Sequence, residues 1–340
     1  SVALAAFTGT VLLTGPAADR TSCRQLLLLA AGLCGTGLSV AAWADRLAVL
    51  TAGVGGLFAA GSGVAYLVAL RLASRGGPAT RGRVLGVVVG GYAATPIMLG
   101  AVGPAAVDAV GWRVSLVVLA LTVTGMLAAA AAVCPGRRGP GDGGPPPATV
   151  SGSVAVQAAL WLVFAFGSAP ALAAFGHAVQ MGRALGLAPT QAGIALVALA
   201  TGNLAGRLVS GLLARVRGTL TGIGACVIVT VTSLSTLVSL DGTWWTAGAL
   251  FALGAGYGAL SALVPLATAE VVPHESFGRV YGRVFTGWGA AGLVAPLAAG
   301  GLATAASYDL VLLGGVGSAL VAAGALVALA RVVGPGGPSS

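Results

Sequence analysis

The sequence predicts an all-α protein that crosses a membrane many times. Three observations carry this. Of 340 residues, 57% are hydrophobic and only 7% charged, whereas a soluble domain clothes its surface with about 25% charged residues. The apolar residues gather in runs of ~20, the length needed to cross a hydrocarbon core. The few charges fall between those runs, in an alternating pattern.

The runs lie near 26–43, 48–70, 84–106, 114–134, 153–175, 189–213, 218–240, 244–269, 284–306 and 309–330. Lipid offers the backbone no hydrogen-bond partners, so each run must be a helix. A further apolar run, 1–14, is too short to span unaided, and it has neither the basic leader nor the processing site of a signal peptide.

Sorting the connections by charge gives an orientation. One set holds Arg20 and Arg24, then Arg71, Arg75, Arg81 and Arg83, then Arg137 and Arg138, then Arg215 and Arg217, then Arg279 and Arg283, with Arg331 closing it. The alternate connections hold only Arg46, Arg113 and Arg183. The positive-inside rule puts the first set, and the C-terminus, in the cytoplasm. All the basic residues are Arg, which with the Ala, Gly and Val richness points to a GC-rich bacterium and its cytoplasmic (inner) membrane. The net charge of +9 is spread over these connections and not gathered on one face, so no nucleic-acid partner is expected.

The stretch 135–150, PGRRGPGDGGPPPATV, is Gly- and Pro-rich and reads as a cytoplasmic linker between two helical bundles, 1–134 and 151–340. Patterns repeat across it. Arg83-Val-Leu-Gly86 leads to Gly91-Tyr92, and Arg279-Val-Tyr-Gly282 leads to Gly287-Trp288 at the same offsets. Gly15-Pro-Ala-Ala-Asp19-Arg20 corresponds to Gly211-Leu-Leu-Ala-Arg215-Val-Arg217. Two similar halves around a central connection are the sign of a parallel-repeat transporter, with its substrate site between the halves near the midplane.

These segments resemble the major facilitator superfamily. Gly15 to Arg24 looks like that family's motif between its second and third helices, in which Gly15, Asp19, Arg20 and Arg24 would hold the cytoplasmic side closed. Gly15 would permit a tight turn, and Asp19 would meet a helix N-terminus and a nearby Arg. The second copy has Arg215 where the Asp would be. The resemblance implies a two-bundle fold with about eleven helices present of an expected twelve, the first being absent from the chain. Within the superfamily the chain is similar to the oxalate/formate antiporter and monocarboxylate transporter branch. Gly61-Ser-Gly-Val-Ala-Tyr66, Gly202-Asn203-Leu-Ala-Gly206-Arg207 and Phe277-Gly278-Arg279-Val-Tyr281-Gly282 through Trp288-Gly289 carry that likeness.

Arg207 is the one basic residue well inside a span, ~12 Å deeper than Arg215 at a rise of ~1.5 Å per residue. Burying its charge is expensive, so it is a functional candidate. The resemblance implies that it binds a substrate carboxylate, while the alternative is an arginine that snorkels to the surface. Asn203 lies one turn away. Tyr66, Tyr92, Tyr257, Phe285 and Trp288 are candidate cavity aromatics, in a chain only 6% aromatic. Tyr92 and Trp288 stand out because they occupy equivalent places in the two halves. The acidic residues, including Asp142, Asp241 and Glu270, fall in connections or at helix ends, which argues against a buried proton relay or a cation site. His177 reads as a surface histidine, and the four cysteines as small apolar core residues without metal-ligand spacing.

The expected function is secondary active transport of a small organic anion, a monocarboxylate, by a monomeric antiporter in contact with membrane lipid, with no cofactor, metal or covalent chemistry. The alternative is an exporter of an uncharged or amphiphilic drug-like compound. A membrane enzyme is disfavoured, since two histidines without paired acids make no catalytic cluster. Selectivity for monocarboxylates follows from Trp288, where oxalate-handling members of the branch place a Lys.

Overall fold

The computed structural model describes residues 2–134, 153–188, 191–240 and 242–333. The linker 135–150, with Arg137, Arg138 and Asp142, lies outside these residues, as does Asp241. The described chain is helical from end to end. Its elements are α1 (Val2–Arg20), α2 (Cys23–Ala42), α3 (Leu47–Leu50), a π-helical stretch (Thr51–Phe58), α4 (Ala59–Ser74), α5 (Pro78–Val133), α6 (Val154–Ala184), α7 (Ala192–Arg217), α8 (Thr219–Ser239), α9 (Thr243–Val271), a short 3-10 turn (His274–Ser276), α10 (Phe277–Ala305) and α11 (Tyr308–Val333). Among the described residues, 10 helices are long and apolar enough to cross a membrane. The 56-residue α5, counted once among these, turns at Gly111 (φ 81, ψ 157) and so covers two of the apolar runs of the sequence.

Two sequence expectations need correction. The run 1–14 is not a partial span: the helix continues through Gly15 and Pro16 to Arg20, giving 19 residues. The apolar run stops at Thr14, but nothing in the following Pro-Ala-Ala stops the helix. The break between 84–106 and 114–134 is also narrower than a loop, because one glycine in left-handed conformation makes the whole turn. Gly218 (φ 82) does the same between α7 and α8.

The chain divides into two compact units. The first comprises Ser1–Leu72, Thr95–Thr149 and Val272–Thr286, and the second Ala73–Ala94, Val150–Val271 and Gly287–Ser340. In the first unit Arg113 donates to Asp45 at 2.7 Å, so the α2–α3 connection and the turn within α5 lie at one end of their helices. Charge sorting assigns both of these connections to the arginine-poor set.

The outer faces are apolar: Leu13, Leu47, Trp244 and Leu297 are among many large hydrophobic side chains left exposed. In lipid that surface carries no penalty, so helix association must come from close packing. The second unit shows how. Gly202 and Gly206 of α7 face the backbone of Phe251 and Ala255, and Gly254 and Gly258 of α9 face that of Leu199 and Asn203, so closely that a Cβ at any of the four would strike a carbonyl oxygen. Both helices carry the small-xxx-small spacing, and they meet backbone to backbone.

The cysteines divide into two kinds. Cys34 and Cys226 are free and buried, as core residues would be. Cys23 and Cys134 are joined in a disulfide with Cα atoms 6.4 Å apart, which corrects the reading of these two as core fillers. Their separation of 111 residues leaves no local spacing to reveal the pair.

Candidate functional site

The α7–α9 seam fixes the site in the second unit. Asn203 follows Gly202, Arg207 follows Gly206, and Tyr257 precedes Gly258, so each polar side chain stands beside a point of backbone contact. Arg207 is buried, with 7% of its surface exposed. Its Nε donates to Asn203 Oδ1 at 3.0 Å, and its Nη1 to the carbonyl oxygen of Val89 on α5, also at 3.0 Å. The guanidinium carbon lies 5.8 Å from the centroid of the Tyr257 ring, within the reach of a cation–π contact. Trp288 of α10 donates Nε1–H to Tyr257 Oη at 2.8 Å, and Phe175 of α6 meets the same ring edge-on at 6.1 Å. Every partner of the cation is therefore neutral. Among the described residues Arg207 has no carboxylate within ion-pair distance, and its Nη2 makes no hydrogen bond. A buried guanidinium held by neutral acceptors keeps its positive charge uncompensated and has a donor left over for a further acceptor.

The structure divides the other candidates. Tyr66 and Phe285 sit in an aromatic cluster of the first unit. There Tyr66 and Phe285 have centroids 5.4 Å apart, Phe7 packs on both, and Tyr66 Oη lies 3.3 Å from Tyr281 Oη. Phe277, Tyr281 and Phe285 form a stripe at four-residue spacing along α10, a helical signal legible in the sequence. Tyr92 lies one turn beyond Val89 on α5 and is exposed. His177 is not a free surface group, because its Nε2 lies 2.9 Å from the Pro296 carbonyl oxygen. Among the described residues, no group of three or more His, Cys, Asp or Glu could hold a metal.

The sequence motif at the end of α1 builds a second polar feature, in the first unit. Asp19 Oδ1 accepts from the Gly278 N–H and Oδ2 from the Arg279 N–H, both at 2.9 Å. One carboxylate thus satisfies two of the unpaired donors opening α10 and meets the positive end of its dipole. Arg71 lies 3.9 Å from Asp19 Oδ1 and also donates to the Asp19 carbonyl at 3.2 Å. The motif points instead to Arg20 and Arg24, which are exposed, and the sequence marks Arg71 only as a topology signal. Gly15 does not make a turn. It lies within α1, where a Cβ would fall 2.5 Å from the Gly278 carbonyl oxygen, so its smallness permits contact with α10.

The second unit repeats this contact with its chemistry removed. A Cβ on Gly211 would approach Gly82 at 2.6 Å, and one on Gly86 would lie 2.9 Å from the Arg207 carbonyl, just as one on Gly282 would lie 2.9 Å from that of Val11. Each of these residues maps onto its counterpart at one constant offset in the sequence, and by that offset Arg215 replaces Asp19. The structure supplies the reason. Gly278 and Arg279 sit in the first turn of α10, where N–H groups are free, whereas α5 starts at Pro78 and its helix already occupies the N–H groups of Gly82 and Arg83. A carboxylate there would have nothing to cap. The same offset places Arg207 opposite Val11, which is fully buried. The cation is thus an asymmetric addition to a symmetric frame.

Apolar spans packed in this way around a polar cluster define a multi-pass membrane protein. A family model for the Major Facilitator Superfamily matches residues 159–340, and the chain belongs to that family: it is a transporter and not an enzyme. No curated protein sequence matches the chain. Among solved structures it is similar to a double-tryptophan mutant of XylE (12% identity, TM-score 0.79, covering 99% of this chain and 86% of that one). It is also similar to the human organic anion transporter MFSD10 (TETRAN), at 14% identity and TM-score 0.73, covering 97% and 82%. A third is the E. coli fucose:proton symporter FucP, as its N-to-A variant at one site, at 14% identity and TM-score 0.71, covering 96% and 89%. At such identities these likenesses speak for the fold alone.

Proposed function

We propose that the chain carries a small organic anion with one carboxylate across the bacterial inner membrane by alternating access, exchanging it as an antiporter, with Arg207 as the carboxylate receptor. The observation that carries this reading is the buried guanidinium of Arg207, which has only neutral partners among the described residues and an unused Nη2 donor. Asn203 and the Val89 carbonyl orient the fork, Tyr257 flanks it, and Trp288 presents an apolar ring to the uncharged end of the substrate. A second carboxylate would enter low dielectric without a partner among these groups, at a cost of several kcal/mol. The organic anions named for MFSD10 make the same substrate class reasonable on this fold.

On this reading 1–134 and 151–340 act as the two bundles, joined by a cytoplasmic 135–150, and the C-terminus is cytoplasmic. Gly15, Asp19, Arg20 and Arg24 gate the cytoplasmic side. The protein works as a monomer among lipids. The test is uptake of radiolabelled lactate or formate by proteoliposomes holding the full chain. Unlabelled monocarboxylates should compete and oxalate should not; equal competition by oxalate would reject the assignment.

One observation favours a second reading. Within the second unit α6, α10 and α11 enclose an apolar cavity of about 360 Å³, walled by Ala169, Ala173, Ala291, Ala295, Gly315 and their neighbours. A pocket of this size and polarity suits an uncharged or amphiphilic drug-like compound. Export of such a compound, insensitive to Arg207→Ala, would establish that reading instead.

A further inference from the structure

We propose that Cys23 and Cys134 form a reversible redox tether, closed by a low-molecular-weight disulfide and opened by a thiol reductant. The two residues are bonded, with Cα atoms 6.4 Å apart, which lies within ordinary disulfide geometry. Cys23 is the first residue of α2, and Cys134 directly follows α5. The arginine-based orientation, on which the proposal rests, puts both on the cytoplasmic face, beside Arg20 and Arg24. A disulfide is seldom permanent in that compartment; where one occurs it is usually transient or redox-sensing. The pair is therefore placed to open and close.

Its position gives the bond a consequence. Only Thr21 and Ser22 separate α1 from α2, and Ser22 caps α2 by accepting from the Gln25 N–H at 3.3 Å. Asp19, which caps α10, stands four residues before Cys23. Closing the bond pins the first turn of α2 to the end of α5, and with it the short connection that carries Asp19. Opening the bond frees that connection on one side.

The chemistry balances as thiol–disulfide exchange. Cys23, at a helix N-terminus where an anion is favoured, attacks one sulfur of the oxidant RSSR as thiolate. A mixed disulfide forms and RS⁻ leaves, taking a proton. Cys134 then attacks the Cys23 sulfur as thiolate, forms the internal bond and expels the second RS⁻. Two protein thiols give up two electrons and two protons, and RSSR becomes two RSH.

The test uses the full chain in right-side-out and inside-out vesicles, treated with glutathione disulfide or dithiothreitol. An impermeant polyethylene-glycol maleimide then reports the free thiols by gel shift. Cys34 and Cys226 are buried in both states and provide the background. The expected result is two added labels after dithiothreitol, none after glutathione disulfide, and access only in inside-out vesicles. Amide exchange across 20–26 should slow roughly tenfold in the closed form. Cys23→Ser and Cys134→Ala, each alone, should abolish that difference; if one fails to fold, the other carries the test. Labelling only from the outer side would mark a constitutive bond on a differently oriented chain and overturn the proposal without touching Arg207. Failure to interconvert, or identical exchange in both forms, would overturn it equally.

Discussion

Replacing Arg207 by Ala removes the one charge that the proposed site offers, and the structure sets the size and sign of the result. The guanidinium is held by Asn203 Oδ1 and the Val89 carbonyl at 3.0 Å each, with no carboxylate partner among the described residues. In the proposed bound state a substrate carboxylate completes the pair, and breaking a buried pair from one side costs about 3–5 kcal/mol. At 1.4 kcal/mol per decade, with the lower part of that range suited to a site that must admit water, Kd should rise about 10²- to 10³-fold. Stability of the ligand-free protein should move the other way or not at all, because the variant no longer buries an uncompensated cation. Lys at this position keeps the charge but cannot hold both acceptors in a planar fork, so it should recover only part of the affinity. Binding of lactate or formate to purified protein, by calorimetry, and the melting temperature without ligand are the two measurements. Unchanged affinity in Arg207→Ala, or a ligand-free melting temperature several degrees lower, would show that the arginine braces the helices and does not receive the anion.

Asp19→Asn keeps one acceptor for the α10 N-terminus but loses the charge, so the first unit should lose about 0.5–2 kcal/mol; an unchanged melting curve would remove the cap from the account. Trp288→Phe deletes the bond to Tyr257 Oη and should weaken monocarboxylate binding by about 0.5–1.5 kcal/mol, while Trp288→Lys should let oxalate compete in the proteoliposome assay. Gly206→Ala puts a methyl group onto the Ala255 carbonyl, and overpacking of this kind costs about 1–3 kcal/mol. The same change at Gly9 or Gly32, where space is open, should be silent or stabilising by thermal melt.

How much of this was legible depended on whether the deciding signal is local in sequence. The spans were, because hydrophobic length acts run by run. Arg207 was visible because a charge deep in an apolar run is conspicuous, and Asn203 because it stands in the same family-like stretch, Gly202 to Arg207. The Val89 carbonyl was not, since any backbone oxygen is a possible acceptor and only the approach of α5 to α7 selects one. Arg71 was hidden for a similar reason: several arginines could have met Asp19, and helix packing chose one from α4. Gly15 suggests the wrong job, because a glycine followed by proline reads as a turn while its partner is a backbone far along the chain. The Cys23–Cys134 bond gave no signal, since two cysteines 111 residues apart have no spacing rule between them.

The backbone-to-backbone seam between α7 and α9 bears on how transport is powered. The glycines of the α7–α9 seam would bring an added Cβ nearer to a facing carbonyl than the 2.6 and 2.9 Å at the α5–α7 contact, so α7 and α9 are held together more tightly than α5 and α7. Arg207, Asn203 and Tyr257 ride on that tighter pair and would keep their mutual geometry through the proposed cycle. A ligand can shift a conformational equilibrium only by as much as it binds one state better than the other. Contacts confined to this rigid group are the same in both states, so they would hold the proposed anion without pushing the protein either way. The push must come from groups that α5 and α10 bring up to the seam, the Val89 carbonyl and Trp288. Substitutions on the seam should therefore alter how tightly the proposed anion is held in every state, while substitutions on those two approaching walls should alter both its affinity for the state in which they close up and how fast it is moved.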